Sequence, residues 1–497
     1  MFLEHRARYI ALITGIVLCF YCCCIHEPWS DEAQSWLIAN ELSPLEMFSN
    51  IHYEGHPILY HLIIKPFTYI LPFSLSQFTS FLFVSVALML FYKTDMDNNL
   101  FILLATSPIC FYYIGAFARS YSLAWIFIAL TVYLYPRRKE LKLMFALVVA
   151  LGMSIHFMVT PYFAVLGLWF GIEELSVLIG RARKSGGVCA LQKSKDILLC
   201  GLILLLGVWF CFNQFVRVDL TAGAGNNMTF EGGDVAKTLA TACAFMLVPS
   251  LPPSVVIGFI LLIFYVAVFL HSWRRAILGI CMTIPCLVIM IRSMLPMPAK
   301  TWTYMLVVYA TLMILGLSYV SDDKKAEVSK NNKVAIWVLC FQLCCVSLAW
   351  KTVIRDTVED YSNLDGLISV IEEQVPAGSK ILVASTSIPT DALITLRELG
   401  YDAIVATNDN PEHHFTEWTS HITDIANEVS MDAAITLMVD NCLTDGEIGY
   451  VFAATDIAMP HDLEADMIAN CYFDYTNTHK SSYSEFVYGI RKVTKED

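Results

Sequence analysis

Long apolar runs separated by short polar segments fill the first 350 positions of the chain. Eleven of these runs have roughly the 17 to 20 residues that an α-helix needs to cross a bilayer. They lie at residues 9–24, 77–92, 100–115, 120–135, 141–156, 162–179, 197–215, 254–271, 276–291, 303–320 and 334–350. The pattern predicts an α-helical integral membrane protein of about eleven transmembrane helices.

The loop after the first span, residues 26–76, contains two shorter stretches. Residues 33–48 place apolar positions among polar ones, as in a helix that lies on a membrane surface. Residues 58–71, between Pro57 and Pro72, are apolar but number only about fourteen, which is short for a span. We predict that both stretches are interfacial helices and that residues 58–71 do not cross the membrane.

The pattern changes after residue 350. It predicts an amphipathic helix, a strand, a second helix and a second strand, at residues 364–375, 380–386, 391–399 and 402–407. No glycine-rich loop precedes the second helix, so nothing favours nucleotide binding there. The sequence thus predicts a membrane domain over residues 1–350 and a soluble α/β domain over residues 351–497.

The charges assign these parts to two environments. The chain is 57% hydrophobic, only 15% charged, and has a net charge of −13. Residues 351–497 contain 8 basic and 26 acidic residues, and this excess of acid gives no surface for nucleic acid. If eleven spans cross, every basic cluster of the membrane domain faces the cytoplasm. These clusters lie at residues 5–8, 137–139, 181–195, 274–275 and 324–333. The N-terminus is then cytoplasmic and the C-terminal domain extracytoplasmic, in a multi-pass protein of the cytoplasmic membrane.

Two acidic groups in the first loop are candidates for chemistry. Asp31 and Glu32 follow the first span, and Glu54 precedes His56 just before Pro57. An ionisable group this close to the hydrocarbon is costly unless it is solvated, paired or functional. Asp31 can act as a general base, or it can simply cap a helix that begins near Glu32.

Basic residues at the ends of spans are candidates for binding an anion. Arg119, His156 and Lys300 each lie at the predicted outer end of an apolar run. Charge-assisted hydrogen bonds to phosphate are strong, which suits Arg119 and Lys300 to that role. The alternative is that each side chain only snorkels to the membrane interface.

Four segments resemble the GT-C class of integral membrane glycosyltransferases, which includes protein O-mannosyltransferases and aminoarabinose transferases. They are Trp29-Ser-Asp-Glu-Ala-Gln, Tyr53-Glu-Gly-His-Pro-Ile-Leu-Tyr, residues 107–123 and Gly152-Met-Ser-Ile-His-Phe. The resemblance implies a polyprenyl-phosphate-sugar donor, a protein or glycan acceptor outside the cytoplasm, and inversion at the anomeric carbon. It implies an enzyme of the hexosyl- or mannosyltransferase type.

The resemblance also implies roles for residues. Asp31 would be the catalytic base, and Glu32 would orient the acceptor or the base. Arg119, Lys300 and His56 would bind the donor phosphate. Glu54 and His156 would contact the acceptor or a metal, and a divalent cation held by Glu54 and His56 stays open. Residues 116–121 lack the second acidic motif of the oligosaccharyltransferase branch, which leaves metal dependence undecided.

Other functions remain to be weighed. Transfer to a glycolipid or cell-wall glycan, rather than to protein, fits the same first loop. A lipid or glycan transporter could also use membrane carboxylates, but it predicts ionisable residues at mid-membrane, whereas most charges here cluster at span ends. Residues 216–237 form either a lid or a plain linker. His413 and His414, beside Glu412 and Glu417, favour a solvated helix start over a metal site.

Overall fold

The computed structural model describes two compact units. The described residues are 2–28, 30–50, 57–96, 98–156, 159–185, 194–215, 350, 353–354, 357, 364–383, 390–406, 408, 410, 412–417, 442–454, 466–473 and 486–494. The first unit contains the described residues up to Cys24 and from Gln77 to Phe215, with residues 350 and 353. The second unit contains the described residues from Ile25 to Ser76 and those from residue 354 onward.

The α-helices of the described residues are between 7 and 26 residues long. They are α1 Phe2–Ile25, α2 Ser30–Glu41, α3 Pro44–Asn50, α4 Leu59–Thr68, α5 Gln77–Tyr92, α6 Asn98–Ala105, α7 Ser120–Leu134, α8 Lys142–Gly152, α9 Thr160–Ser185, α10 Lys195–Phe215, α11 Leu364–Gln374 and α12 Thr390–Glu398. A π-helix, Ile109–Ile114, lies between α6 and α7.

Four helices in the described part of the chain are long and apolar enough to cross a membrane. They cover Arg6–Ile25, Phe73–Tyr92, Thr160–Lys184 and Lys195–Gln214. On α10, Leu205 and Phe212 are 69% and 61% exposed, as expected for side chains that face lipid. The protein is therefore a multi-pass membrane protein. The last four predicted spans, from residue 254 to residue 350, lie outside the described residues apart from Trp350, so the number eleven stays a prediction.

The predicted span at residues 100–115 is not one regular helix, and that prediction is wrong in this respect. Helix α6 ends at Ala105, and the buried π-helix starts after Pro108. Proline has no N–H to donate and its ring clashes with the preceding turn, which breaks an α-helix. Pro108 therefore divides the run, and π-helical turns of this kind often occur near functional sites.

Small residues let α1 approach this broken segment closely. A Cβ atom added to Gly15 would lie 2.4 Å from the backbone oxygen of Ala105. The Cys23 Sγ donates a hydrogen bond to the Gly115 carbonyl, at 3.2 Å. Gly15, Cys19 and Cys23 recur at every fourth position, the spacing by which small residues bring two membrane helices together.

The first loop contains two helices where the sequence predicted one amphipathic stretch at residues 33–48. Helix α2 ends at Glu41 and α3 begins at Pro44. Helix α4 has 10 residues and is therefore about 15 Å long, half of the roughly 30 Å hydrocarbon core. A helix of this length cannot cross alone, which agrees with an interfacial position for residues 58–71.

The described strands of the tail form a five-stranded mixed sheet. They are β1 Lys380–Val383, β2 Asp402–Val405, β3 Ile448–Ala454, β4 Asp466–Phe473 and β5 Phe486–Thr494, in the order β2-β1-β3-β5-β4. Strand β1 runs parallel to β2 and β3, and β5 runs antiparallel to β3 and β4. Helix α11, β1, α12 and β2 lie where the sequence pattern predicted them. The assignment of residues 351–497 to a separate extracytoplasmic domain stays a prediction.

Candidate active site

The acidic pair of the first loop forms the first turn of α2. Asp31 and Glu32 follow Ser30, the first residue of the helix. Carboxylates are stabilised there by the positive end of the helix dipole. The Asp31 side chain is partly exposed, and its backbone carbonyl accepts a hydrogen bond from the Ser35 hydroxyl at 3.1 Å. Asp31 is therefore held at a helix N-terminus and is less buried than Glu32 beside it.

Glu32 has a different environment. Its side chain and that of His26 are both 0% exposed, and the His26 Nε2 lies 3.2 Å from the Glu32 Oε2. One residue along an α-helix is a rotation of about 100°, so the two carboxylates point in different directions. Glu32 is therefore anchored in the first turn of α2 by its buried contact with His26.

The far end of α2 is capped by a lysine from α4. The Lys65 ammonium donates hydrogen bonds to the carbonyls of Ala39, Asn40 and Leu42, at 2.8, 3.2 and 2.9 Å. The last carbonyls of a helix have no partner within the helix, and a cation there also suits the dipole. Lys65 thus joins α4 to α2 and fixes the direction of the helix that carries Asp31.

The middle and end of α2 are bound to the tail. The Gln34 amide exchanges two hydrogen bonds of 2.8 Å with the backbone of Thr416. Glu41 accepts hydrogen bonds from the His414 N–H at 3.0 Å and pairs with its ring nitrogen at 2.7 Å. The interpretation of residues 413–414 as a solvated helix start is therefore wrong: residues 412–417 are not helical, and His413 pairs with Glu417 at 2.5 Å.

Arg119 lies at the start of α7 in the first unit. It is the N-cap residue of that helix, with φ −124° and ψ 162°, and is only 8% exposed. The Ser80 hydroxyl donates to the Phe117 carbonyl at 2.6 Å and lies 2.9 Å from the hydroxyl of Ser122. Ser122 also donates to the Arg119 carbonyl at 2.9 Å. The backbone around Arg119 is thus fixed by hydroxyls from α5 and α7.

His156 reaches the same end of α7. It follows α8, is 1% exposed, and its ring centroid lies 5.0 Å from that of Tyr121 in the first turn of α7. The carbonyl of His156 accepts hydrogen bonds from the backbone N–H and the hydroxyl of Thr160, the first residue of α9. The structure therefore brings two sequence-predicted candidates, Arg119 and His156, to one end of α7.

The remaining candidates cannot be placed. Glu54, His56 and Lys300 lie outside the described residues. Among the residues that are described, no group of three or more His, Cys, Asp or Glu side chains has the geometry of a metal site. A divalent cation held by Glu54 and His56 therefore stays a hypothesis.

Sequence reasoning missed the residues that hold α2 in place, which are His26, Gln34, Lys65, His414 and Thr416. The partners Gln34 and Thr416 are 382 positions apart, and no local pattern links them. One of the residues that hold α2 did leave a signal in the sequence. Lys65 is a lysine within the apolar stretch 58–71, and a cation inside an interfacial helix needs a partner.

Comparisons with known proteins identify the fold. No protein family and no curated protein sequence matches the chain. The chain is similar to the crystal structure of ArnT from Cupriavidus metallidurans bound to undecaprenyl phosphate, with a TM-score of 0.52, 12% identity and 97% of both chains covered. The apo state of that protein gives a TM-score of 0.51 with the same identity and coverage. ArnT is an aminoarabinose transferase of the GT-C class, and the likeness shows that this chain has a GT-C-like fold.

Proposed function

We propose that the protein is a glycosyltransferase that moves a sugar from a polyprenyl-phosphate donor to an extracytoplasmic acceptor, with inversion at the anomeric carbon. The observation that carries this proposal is the likeness over 97% of both chains to a transferase bound to undecaprenyl phosphate. The hexosyl or mannosyl type of the sugar, and a protein or glycan acceptor, belong to the proposal.

Asp31 is the proposed catalytic base. It takes the proton from an acceptor hydroxyl or amine while that atom attacks the anomeric carbon of the donor. The bond between that carbon and the phosphate oxygen breaks, and its electron pair leaves with the polyprenyl phosphate. A single displacement of this kind inverts the anomeric carbon. The place of Asp31 in the first turn of α2, as a partly exposed residue, supports the assignment.

Arg119 is the proposed ligand of the donor phosphate. A guanidinium stays charged at any physiological pH and binds phosphate oxygens through two parallel N–H bonds. The N–H groups at the start of α7 add partial positive charge at the same place. His156, next to Tyr121, is proposed to contact the acceptor at this end of the helix, and Lys300 and His56 are proposed as further phosphate ligands.

Glu32 is proposed to orient the base. Its buried pair with His26 restrains the first turn of α2, which fixes the direction of the neighbouring Asp31. Glu54 keeps its proposed role in contacting the acceptor, or in binding a divalent cation together with His56.

Transfer from radiolabelled polyprenyl-phosphate sugars tests the function directly. The purified protein is incubated in detergent with each donor and with membrane and protein acceptors, and labelled product is measured. We expect Asp31→Asn to abolish transfer, because the amide keeps the volume and loses the base. The affinity for undecaprenyl phosphate should stay within a few-fold of that of the wild type.

The matched control is Glu46→Gln, which makes the same chemical change at an exposed carboxylate on α3. Its turnover should equal that of the wild type. Turnover of Asp31→Asn within a few-fold of wild type would remove Asp31 from the role of base. Failure of the wild type to transfer any polyprenyl-linked sugar would reject the proposed function.

A further inference from the structure

One face of α2 carries both the proposed base and two contacts with the tail. This face contains residues spaced alternately three and four positions apart, which is the spacing of one side of an α-helix. They are Asp31, Gln34, Ile38 and Glu41. Gln34 lies one turn, about 4.5 Å along the axis, from Asp31. A displacement of Gln34 must therefore move the turn that carries Asp31.

The contact between Gln34 and Thr416 is buried and complete. Gln34 Nε2 donates to the Thr416 carbonyl and Gln34 Oε1 accepts from the Thr416 N–H, each at 2.8 Å. The two residues are 8% and 5% exposed. A buried polar group that loses its hydrogen-bond partner destabilises the folded state by its full desolvation free energy. The pair therefore allows one relative position of α2 and the tail segment.

A second contact lies two turns further along the helix. Glu41 accepts from the backbone N–H of His414 at 3.0 Å and pairs with its ring at 2.7 Å, and the Arg397 guanidinium lies 3.7 Å away. Arg397 belongs to α12, which packs on α2. Two contacts at separate positions fix the rotation of a helix as well as its location.

The tail segment that makes these contacts is itself rigidly built. It follows β2, an edge strand of the sheet. The Asn408 amide donates to the carbonyls of His413 and Phe415, at 2.9 and 2.8 Å, and its oxygen accepts from the Glu417 N–H at 2.9 Å. The Glu417 carboxylate in turn accepts from the Asn410 N–H at 3.0 Å. A segment closed by its own side chains presents a fixed backbone to Gln34.

We propose that this segment of the tail, the described residues 408, 410 and 412–417, positions the catalytic base. Gln34 is the positioning residue in the first loop, and Thr416 and His414 are its counterparts in the segment. The inference rests on the proposed function and deepens it: the tail contributes to turnover by holding the helix of Asp31, without touching the donor. Because a displacement of about 1 Å in a reacting group can lower a rate by about 100-fold, such a contact can affect catalysis strongly.

The test uses the full-length protein with the variants Gln34→Met and His414→Ala. Methionine keeps the volume of glutamine and removes both hydrogen bonds to Thr416, whereas His414→Ala weakens the more exposed contact. Glu447→Gln is the matched control, since it breaks an ion pair with Lys380 inside the tail that does not involve α2. Each protein is measured for kcat, for donor KM, and for amide hydrogen exchange in peptides covering residues 30–41.

We expect Gln34→Met to lower kcat by about 10- to 100-fold while donor KM changes by less than about threefold. Exchange in residues 30–41 should become faster. His414→Ala should change both quantities in the same direction by a smaller factor, and Glu447→Gln should change neither. If Gln34→Met does not fold, His414→Ala decides the question with the same readouts.

Unchanged kcat in a folded Gln34→Met or His414→Ala protein, with or without faster exchange, would overturn the positioning role and leave the proposed function intact. A rise in donor KM with normal kcat would overturn it as well, because it would place Gln34 at the donor. A wild type that transfers no sugar would instead reject the proposed function, and the positioning role with it.

Discussion

Arg119 is the described cation with the strongest case for a functional role. A guanidinium keeps its charge at any physiological pH. Arg119 is only 8% exposed, so little of it contacts water. The surrounding hydroxyls of Ser80 and Ser122 hold the backbone on either side of it. This arrangement keeps a permanent positive charge at the start of α7, where the proposed function needs a partner for the donor phosphate.

Arg119→Ala should raise the donor KM by about 10- to 100-fold and change the acceptor KM much less, since a charged hydrogen bond to phosphate contributes about 1.5–3 kcal/mol. Steady-state kinetics with each substrate varied in turn would measure both constants. The matched control is Arg137→Ala, an exposed arginine at the other end of α7, which should leave both constants unchanged. An effect confined to the acceptor would contradict the phosphate role.

Glu447 gives the tail a dependence on pH that can be measured. Hydrogen bonds from the Lys380 ammonium and from the N–H and hydroxyl of Thr444 lower the pKa of Glu447 to about 2. An unfolded glutamate has a pKa of about 4.3, so the stabilisation is complete above that pH and is lost as the pH falls towards 2. The free energies of unfolding of the wild type and of Glu447→Gln, measured between about pH 5 and pH 2.5, should therefore approach each other at the acid end. Parallel curves would contradict the assignment, and Glu398→Gln is the exposed control.

At the scale of elements, local signals explain the parts of the fold that were predicted. Helix α5 has the bounds predicted from its uninterrupted apolar run. Strand β1, helix α12 and strand β2 lie where the spacing of apolar positions changes from that of a strand to that of a helix and back. The break between α2 and α3 was also encoded, although the sequence analysis did not detect it. Ser43 and Glu46 cap each other, with Pro44 as the first helical residue, and this hydrogen bonding lowers the pKa of Glu46.

The candidate site was predictable only in part. Asp31 and Arg119 were proposed because charged residues next to apolar spans are unusual and because their spacing resembles a known class. The supports of the site were not found. Gln34 and Thr416 are ordinary polar residues in sequence, and only the packing of the tail on α2 brings them together. A contact between residues so far apart in the sequence depends on the whole fold and leaves no local pattern in the sequence.

The packing of α1 gives a prediction about stability. Gly15→Ala should lower the free energy of unfolding by about 1–3 kcal/mol, because the added methyl would lie 2.4 Å from the Ala105 oxygen, and backbone cannot move aside cheaply. Gly201→Ala in α10 is the matched control. A methyl there meets nothing within 4 Å, so stability should be unchanged or higher by about 0.5–1 kcal/mol. Unfolding in detergent with increasing dodecyl sulfate would measure both, and equal effects would contradict the close approach.

At the scale of the molecule, the side of the membrane on which the first loop lies decides whether Asp31 can serve an extracytoplasmic acceptor. Helix α4 spans about 15 Å and is joined through Lys65 to the end of α2. A helix so short and so attached agrees with the prediction that residues 58–71 do not cross. We predict a cytoplasmic N-terminus, and one crossing by α1 then puts the first loop outside.

The orientation can be tested with single cysteines in a background without reactive native thiols. Ser74→Cys, exposed in the turn after α4, should react with an impermeant maleimide in intact cells, because the first loop is predicted to lie outside. Lys139→Cys, exposed in the predicted cytoplasmic turn between α7 and α8, should react only after the membrane is opened. Labelling of Ser74→Cys only in opened membranes would mean that residues 58–71 cross. Every later loop would then change sides, and the predicted number of eleven spans would be wrong.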